Sequence, residues 1–586
     1  MKNIIYPFFY SFRFVFKNSP FYAISLIITS FINTYKVYVT AALSKNLINL
    51  IAESLSVHRF NTQIIYVSVT LIAFEIFLCV FSATIGYFSI KSSIKYSNNM
   101  TLFLCDLAYK LKFSFFDDSK NSDQAAQAKS DCQYVLNMYS SIVNFVFGCI
   151  SFIVSLVICI KLNVFFAIVA VLVTLPNFFI QKKARVDNYE HEKELNFINR
   201  KLGYFNSIFW GREYYMESHL FDLKKFLFDN LTKYQDIRTE KQMRLTRKNT
   251  IRETCFIVLI LLVNGIINLG IILLIIYKRL TVGDYSYYNT ILNNLKNTTN
   301  NTVRLVNEII NCHTRINNFL AFVDEHVKTE SAKKLPVSTE INSIEVKDLW
   351  FMYPNTNVYV LENVSFKINS NERIAFAGIN GAGKTTLISL LLRYYTPTKG
   401  MILLNGINIE EYDIVQYRNL FSTMFQIPIM YYLTMRENIA ISKVYAPPDE
   451  ECIKDCLRKS EYEFGLNNLD SELSKQFDSD GIIPSQGQLQ KINLAKTIYR
   501  DANIVILDEP SASLDALSEH NIFSKMYELS ENRIMILVSH RLSNLKSMDR
   551  IYYFENHTIV ESGTHEDLLN LNGYYRKIYE IQASGY

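Results

Sequence analysis

Hydrophobic and polar positions are sharply segregated along this chain. Long apolar runs occur at 21–51, opening "FYAISLIITSFI", and at 64–90, "IIYVSVTLIAFEIFLCVFSATIGYFSI". Two more, at 142–160 and 164–180, are split by "KLN", and "CFIVLILLVNGIINLGIILLIIY" fills 255–277. Each approaches or exceeds the ~20 residues of a membrane-spanning helix, so hydropathy predicts five spans. Beyond about residue 320 the pattern changes to short apolar strands broken by turn residues. A charged, polar stretch, "VDEHVKTESAKKLPVSTEINS", marks the boundary between the two regimes.

The second region holds the most specific motif. "RIAFAG", residues 373–378, reads as a buried strand, and "GINGAGKT", Gly378 to Thr385, follows it before the helix-like "TLISLLLRYY". This is G-x-x-x-x-G-K-[ST] in its required strand–loop–helix context. Gly378, Asn380, Gly381 and Gly383 would let backbone N–H groups wrap phosphates. Lys384 would reach the outer phosphates, the Thr385 hydroxyl would ligate Mg²⁺, and Thr386 belongs to the same helix start. A second apolar strand, "NIVILDEP", delivers Asp508 and Glu509 at its carboxyl end, where an open α/β sheet binds its ligand. Asp508 is expected to hold Mg²⁺, and Glu509 to polarise the attacking water. The cofactors expected are therefore ATP and Mg²⁺.

ATP is scarce outside a cell, and that bears on topology. Lys2, Arg13 and Lys17 precede the first span, and 91–130 and 181–252 are rich in Lys and Arg, whereas the links near 52–63, 161–163 and 278–284 are short. The positive-inside rule places the N-terminus in the cytoplasm. Five spans would leave the nucleotide region outside, so a sixth is required. The candidate is the polar segment around 285–323, whose polar face must look onto protein or water. Asn293, Asn297 and Asn301 recur there at four-residue spacing on one helical face, either as helix-to-helix hydrogen bonds or as the wall of a hydrophilic pathway. The spans are placed at 21–51, 62–92, 138–160, 163–183, 252–277 and 284–322. Lys36 and Glu75 stand at membrane depth and pair with each other, snorkel, or serve a direct substrate or proton role. "IIYPFFYSFRFVF" reads as an interfacial helix rather than a signal peptide.

Composition narrows the remaining classes. The 586 residues are too many for one core, and 49% hydrophobic content fits a chain that is half membrane protein. A net charge of +5 fits basic loops beside a bilayer, and no basic stripe argues for a nucleic-acid partner. The nine cysteines are scattered, as reduced packing residues are; Cys452 and Cys456, four apart, have no second pair to complete a metal site. Few Gly and Pro beside abundant Asn, Lys, Ile and Tyr suggest an AT-rich bacterial source.

Over essentially its whole length the chain resembles an ATP-binding cassette exporter of the half-transporter kind. The fold this implies is multi-domain: an all-α six-helix transmembrane domain, 1–323, a linker, 324–343, and an α/β P-loop nucleotide-binding domain with a helical signature subdomain, 344–586. By resemblance, Tyr353 in "WFMYP" stacks on adenine, and Gln426 in "MFQIP" senses Mg²⁺ and the membrane domain. Asp515 in "SASLD" forms the D-loop, and His540 in "LVSHRLS" is the switch histidine near the γ-phosphate. The family's signature, L-S-G-G-Q, closes over ATP held by the opposite subunit. Here it reads Pro484, Ser485, Gln486, Gly487, Gln488, and the preceding "FDSDG" lacks the usual Gly-Glu-Arg-Gly wording.

Ser485 followed three residues later by Gln488 is a capping-box pattern, which makes Gln486 the first helical residue, a position any L-residue can occupy. Gly487 is retained for the close approach to phosphate. A working signature is expected, with impaired hydrolysis as the alternative. A chain with one phosphate loop and one signature must pair, most simply as a C2 homodimer, with a heterodimer open. Segments near 115–124 and 211–222 are, by similarity, where coupling helices dock, with Tyr214, Tyr215 and Phe221 as anchors. The function implied is ATP-driven export of a peptide or other hydrophilic compound through a lipid bilayer. About twenty residues precede the first span, so no fused leader-peptidase domain is expected. The alternatives are a same-fold importer of a metal chelate and a subunit of a heterodimeric or regulatory complex; the spans exclude a soluble cassette ATPase.

Overall fold

The computed structural model describes every residue except 1, 59, 163, 173, 174, 278, 279, 327–333, 339, 511–515, 585 and 586. The chain divides into two compact units. One comprises Met1–Leu111 and Asp123–Lys328, the other Lys112–Ser122 and Thr329–Tyr586.

The first unit is helical: α1 (Lys2–Asn18), α2 (Pro20–Val57), α3 (Gln63–Tyr109), α4 (Ser119–Asp131, whose start belongs to the other unit), α5 (Tyr134–Leu162), α6 (Val164–Leu172), α7 (Leu175–Trp210), α8 (Arg212–Leu220), α9 (Lys224–Ile276) and α10 (Val282–His326). Pro20 opens α2 at the position where its missing N–H costs nothing. Four stretches among the described residues are long and apolar enough to cross a membrane: Pro20–Val57, Gln63–Tyr109, Gln124–Lys161 and Lys224–Ile276. They expose Ile, Phe, Leu and Val over much of their length, as helices facing lipid do. The run expected at 163–183 is helical in its two described pieces, α6 and the start of α7.

The polar segment folds as one helix, α10, and its faces are distinct. Ile291, Leu292, Leu295, Leu305, Cys312, Ile316 and Phe319 are buried, whereas Asn293, Asn297 and Asn301 are exposed. Helix-to-helix hydrogen bonding falls instead to their neighbours. Asn294 Nδ2 donates to Tyr38 Oη (3.2 Å), Ser151 Oγ (3.1 Å) and Ser155 Oγ (2.9 Å), and Asn300 Oδ1 accepts from Asn177 (3.1 Å). Lys36 and Glu75 pair across α2 and α3 at 2.6 Å, the mutual partnering that relieves two charges at membrane depth.

The second unit contains β1 (Ser343–Met352), β2 (Tyr359–Asn369), β3 (Arg373–Gly378), α11 (Lys384–Leu391), β4 (Lys399–Leu404), β5 (Ile407–Asn408), α12 (Ile414–Asn419) and β6 (Phe421–Met424). These are followed by α13 (Met435–Ala440), α14 (Glu450–Lys459), α15 (Gln486–Arg500), β7 (Ile504–Asp508), α16 (Ala516–Leu529), β8 (Ile534–Val538), β9 (Arg550–Glu555), β10 (Thr558–Gly563), α17 (His565–Asn570) and α18 (Tyr574–Ser584). One sheet runs β10-β9-β3-β8-β7-β6, with β9, β3, β8, β7 and β6 parallel and β10 antiparallel at the edge. β8 is buried at every position and β3 at all but its first, the mark of strands covered on both faces. A second, antiparallel sheet runs β2-β1-β4-β5. A small helical cluster built on α13, α14 and α15 has its own core of Met435, Ile439, Ile453, Leu457, Leu473 and Ile492. The sheet order sets β3 and β7 on either side of β8, and all three are parallel, so the carboxyl ends of β3 and β7 lie at the same edge of the sheet with one strand between them.

Candidate functional site

The loop after β3 is shaped by glycines that no other residue can replace. Gly378 has φ +140, and a Cβ there would lie 2.3 Å from the Phe554 carbonyl oxygen. Gly383 has φ +97, and its Cβ would meet Leu361 at 2.6 Å and the Val360 oxygen at 2.7 Å. Between them Asn380 and Gly381 are exposed, and Thr385 is exposed at the head of α11. Lys384 is buried and folds back across the loop, its Nζ donating to the carbonyls of Gly378 (2.8 Å) and Ile379 (2.9 Å). Burial pulls its pKa down, while the charges of Glu509 and Asp508 push it back up. Thr386 shares a hydrogen bond of 2.8 Å with the Tyr353 hydroxyl.

β7 carries Asp508 at its end, and Glu509 follows in the left-handed region at φ 50. That backbone is costly for a non-glycine residue, and the turn is held by Glu509 N–H donating to the Val538 carbonyl at 3.0 Å. The result aims the Glu509 carboxylate between two neighbours. Gln426 Nε2 donates to Glu509 Oε2 (2.8 Å), and His540 Nδ1 lies 3.3 Å from Glu509 Oε1. Asp508 is buried, and its Oδ1 has no hydrogen-bond partner. Burial first, then the Glu509 charge, push its pKa up to about 6, against the opposing pull of the Thr385 hydroxyl and Lys384. A buried, partnerless carboxylate oxygen beside a threonine hydroxyl fits a divalent cation with oxygen ligands. Asp508 and Thr385, with Gln426 nearby, are therefore suited to Mg²⁺.

The region around Gln486 folds as its spacing predicts. Ser485, at φ −66 and ψ 165, caps α15. Its Oγ accepts from Gln488 N at 3.3 Å, and Gln488 Oε1 accepts from Ser485 N at 2.8 Å. Gln486 is the first helical residue and is exposed, so its side chain displaces nothing within its own chain. Gly487 occupies the second helical position.

The ABC transporter domain family matches residues 361–512, which span the phosphate loop, the signature and the acidic pair. The subtilin transport ATP-binding protein SpaT of Bacillus subtilis is 31% identical over 69% of this chain and 66% of that protein. Residues 361–512 are thus an ABC transporter domain. The ATP-dependent lipid A-core flippase of Escherichia coli K12 is 31% identical over 49% of this chain and 48% of its own length, and that of Paraburkholderia xenovorans 33% over 44% and 43%. The matched stretch thus spans from under half to just under two thirds of these relatives. A bacterial Atm1-family ABC exporter, solved with ATP bound, superposes with a TM-score of 0.79 over 95% of this chain and 98% of that one, at 17% identity. The chain therefore has the fold of a fused transmembrane and nucleotide-binding ABC exporter, and it is a membrane protein.

Within the nucleotide-binding domain, Glu509 accepts a hydrogen bond from Gln426 and lies within ion-pair distance of His540, and Tyr353 is tied to the phosphate-loop helix through Thr386. Ser485 and Gln488 bond to each other rather than to these residues. Asp515 lies outside the described residues. Sequence reasoning missed the residues beside Tyr353. The segment Lys112–Ser122 belongs to the ATPase unit, where Tyr395 Oη donates to Asp117 (2.9 and 3.0 Å) and Asn355 Nδ2 to Asp118 (3.1 Å). The adjacent Tyr394 and Tyr395, just past α11, were the only signal available. The other segment expected to dock, α8 and its flank, keeps Tyr215 and Phe221 more than half exposed and Tyr214 partly so.

Proposed function

We propose that this protein is an ATP-driven exporter that hydrolyses MgATP and moves a peptide or similarly hydrophilic compound across the plasma membrane by alternating access. The observation that carries the reading is the Glu509 carboxylate held between Gln426 and His540, at the strand ends beside Lys384 and Asp508. In this arrangement Glu509 polarises the attacking water and His540 reaches the γ-phosphate. Lys384, released from the carbonyls of Gly378 and Ile379, binds the outer phosphates. Bound Mg²⁺ would supply charge neutralisation at the phosphates, held by Thr385, Asp508 and Gln426.

The ATP site is completed by Ser485, Gly487 and Gln488 of a second copy, whose helix N-terminus offers free N–H groups to the γ-phosphate. Two copies of the chain form a C2 homodimer with equivalent sites. Each has six spans, at 21–51, 62–92, 138–160, 163–183, 252–277 and 284–322, within domain 1–323, and a linker, 324–343, leads to domain 344–586. The N-terminus and the ATPase domain are cytoplasmic. The exposed Asn293, Asn297 and Asn301 face of α10 supports a hydrophilic cargo, and the name of the subtilin relative supports a peptide. Hydrolysis resets the domains after each ATP-driven closure. In inside-out vesicles, ATP should drive uptake of a pool of labelled hydrophilic hexapeptides, and Glu509→Gln should abolish it. Uptake in right-side-out vesicles instead would refute export.

A further inference from the structure

The second unit contains an aromatic cluster whose parts come from three distant places in the chain. Tyr395 stands edge-on to Tyr353, with ring centroids 5.4 Å apart at 87°, and both pack on Phe351, at 5.4 and 5.1 Å. Phe113 closes the cluster against Tyr394 (5.1 Å) and Tyr395 (5.5 Å). Edge-to-face rings at these separations attract and hold orientation as well as area.

Hydrogen bonds from two residues, Tyr395 and Asn355, fix the segment Lys112–Ser122 to this cluster. The Tyr395 hydroxyl donates to both oxygens of Asp117, and Asn355, two residues past Tyr353, donates to Asp118. Burial and the Asp117 bond both push the Tyr395 pKa up, so the phenol keeps its proton and remains a donor. A hydroxyl-to-carboxylate bond is charge-assisted and therefore stronger than a neutral one. On the far side of the cluster, the Tyr353 hydroxyl meets Thr386, the neighbour of Thr385. A continuous path runs Asp117, Tyr395, Tyr353, Thr386.

We infer that Tyr395 is a positioning residue: anchored by Asp117, it orients the Tyr353 ring for the purine, so that base affinity and the placement of Lys112–Ser122 are thermodynamically linked. The inference rests on the reading of Tyr353 as the adenine platform. Linkage is reciprocal, so adenine stacked on Tyr353 in turn strengthens the Tyr395–Asp117 anchor. The segment joins α3 to α4 in the chain, so base binding is read directly by residues that lead into the membrane helices.

The test uses the full chain in lipid nanodiscs and two ligands, ATP and inorganic tripolyphosphate, the second lacking a base. Tyr395→Phe keeps the ring and removes both bonds to Asp117; Asp117→Ala removes the acceptor and leaves the ring intact. Both variants should weaken ATP binding roughly 5-fold, the lower range of typical coupling, while tripolyphosphate binding stays within about 2-fold, which also shows that the fold is retained. Hydrolysis should show a raised KM for ATP with kcat unchanged. In a Tyr353→Leu background, Tyr395→Phe should add nothing. Equal loss for both ligands, unchanged ATP binding, or additive effects in the Tyr353→Leu background would each overturn the inference. Should Tyr353→Leu alone leave ATP binding unchanged, the adenine-platform reading itself fails, and the inference with it.

Discussion

Removing the Arg315 guanidinium leaves a buried carboxylate without its counter-charge. Asp131, at the end of α4, has a fully buried side chain, and Arg315 Nη1 on α10 donates to its Oδ1 at 3.0 Å. The same guanidinium reaches Glu192 on α7 at 2.9 Å and lies over the Tyr134 ring at 4.7 Å. In Arg315→Met the Glu192 carboxylate, half exposed, simply returns to water. Asp131, left with only the Gln127 side chain as a hydrogen-bond partner, must either stay charged without a counter-charge, at about 3–5 kcal/mol, or take up a proton.

The second route sets an upper bound. Neutralising a carboxyl of ordinary pKa ~3.9 at pH 7 costs about 4 kcal/mol, at ~1.36 kcal/mol per pH unit. The same bound at pH 5 is about 1.5 kcal/mol. Arg315→Met should therefore destabilise the protein by about 3–4 kcal/mol at pH 7 and by less than half that at pH 5. Asp131→Asn in the same background should remove the pH dependence. Equilibrium unfolding in mixed micelles at the two pH values measures this directly. A penalty that is equal at pH 5 and pH 7, or below about 1 kcal/mol at pH 7 as for an exposed pair, would refute the reasoning.

Two predictions concern the nucleotide site. Gln486→Gly should leave ATP hydrolysis within about 2-fold, because the replaced side chain is exposed and the Ser485–Gln488 box survives, whereas Ser485→Ala forfeits a cap of about 1 kcal/mol and should slow hydrolysis several-fold; equal effects would refute the capping account. For Asp508, metal-free and with its pKa pushed up to about 6, a proton and Mg²⁺ compete for the same carboxylate. Mg²⁺-dependent ATP binding should thus weaken as pH falls below 6, by roughly tenfold per unit, and hold steady above it; no change between pH 5 and 7 would mean an ordinary carboxylate, and Asp508→Asn should flatten the profile.

The nucleotide site was legible because its residues sit in short, local patterns. Gly378 to Thr385 fall between a strand and a helix, and Ser485 and Gln488 stand at capping-box spacing, so each neighbourhood dictates its own backbone. The asparagine stripe of α10 was also legible by period, although which asparagines bind neighbouring helices was not. Asn294, rather than Asn293, meets Tyr38, Ser151 and Ser155, and only the packing angle of α10 decides that. Lys36 and Glu75 pair because two apolar helices run side by side, one of the three readings open from sequence. The Tyr395–Asp117 bond spans 278 positions, and the Arg315–Asp131 pair 184. No local spacing encodes such links; they follow from where the chain returns.

The claim at the centre of this account is that one chain type, with Gln486 in its signature, builds complete ATP sites. The measurement is ATP hydrolysis by the protein expressed alone and reconstituted in lipid, beside Glu509→Gln. Mg²⁺-dependent hydrolysis that falls at least ~100-fold in the variant is the predicted result. Hydrolysis no higher than that of Glu509→Gln, with ATP still bound, would contradict it, and with it the homodimer.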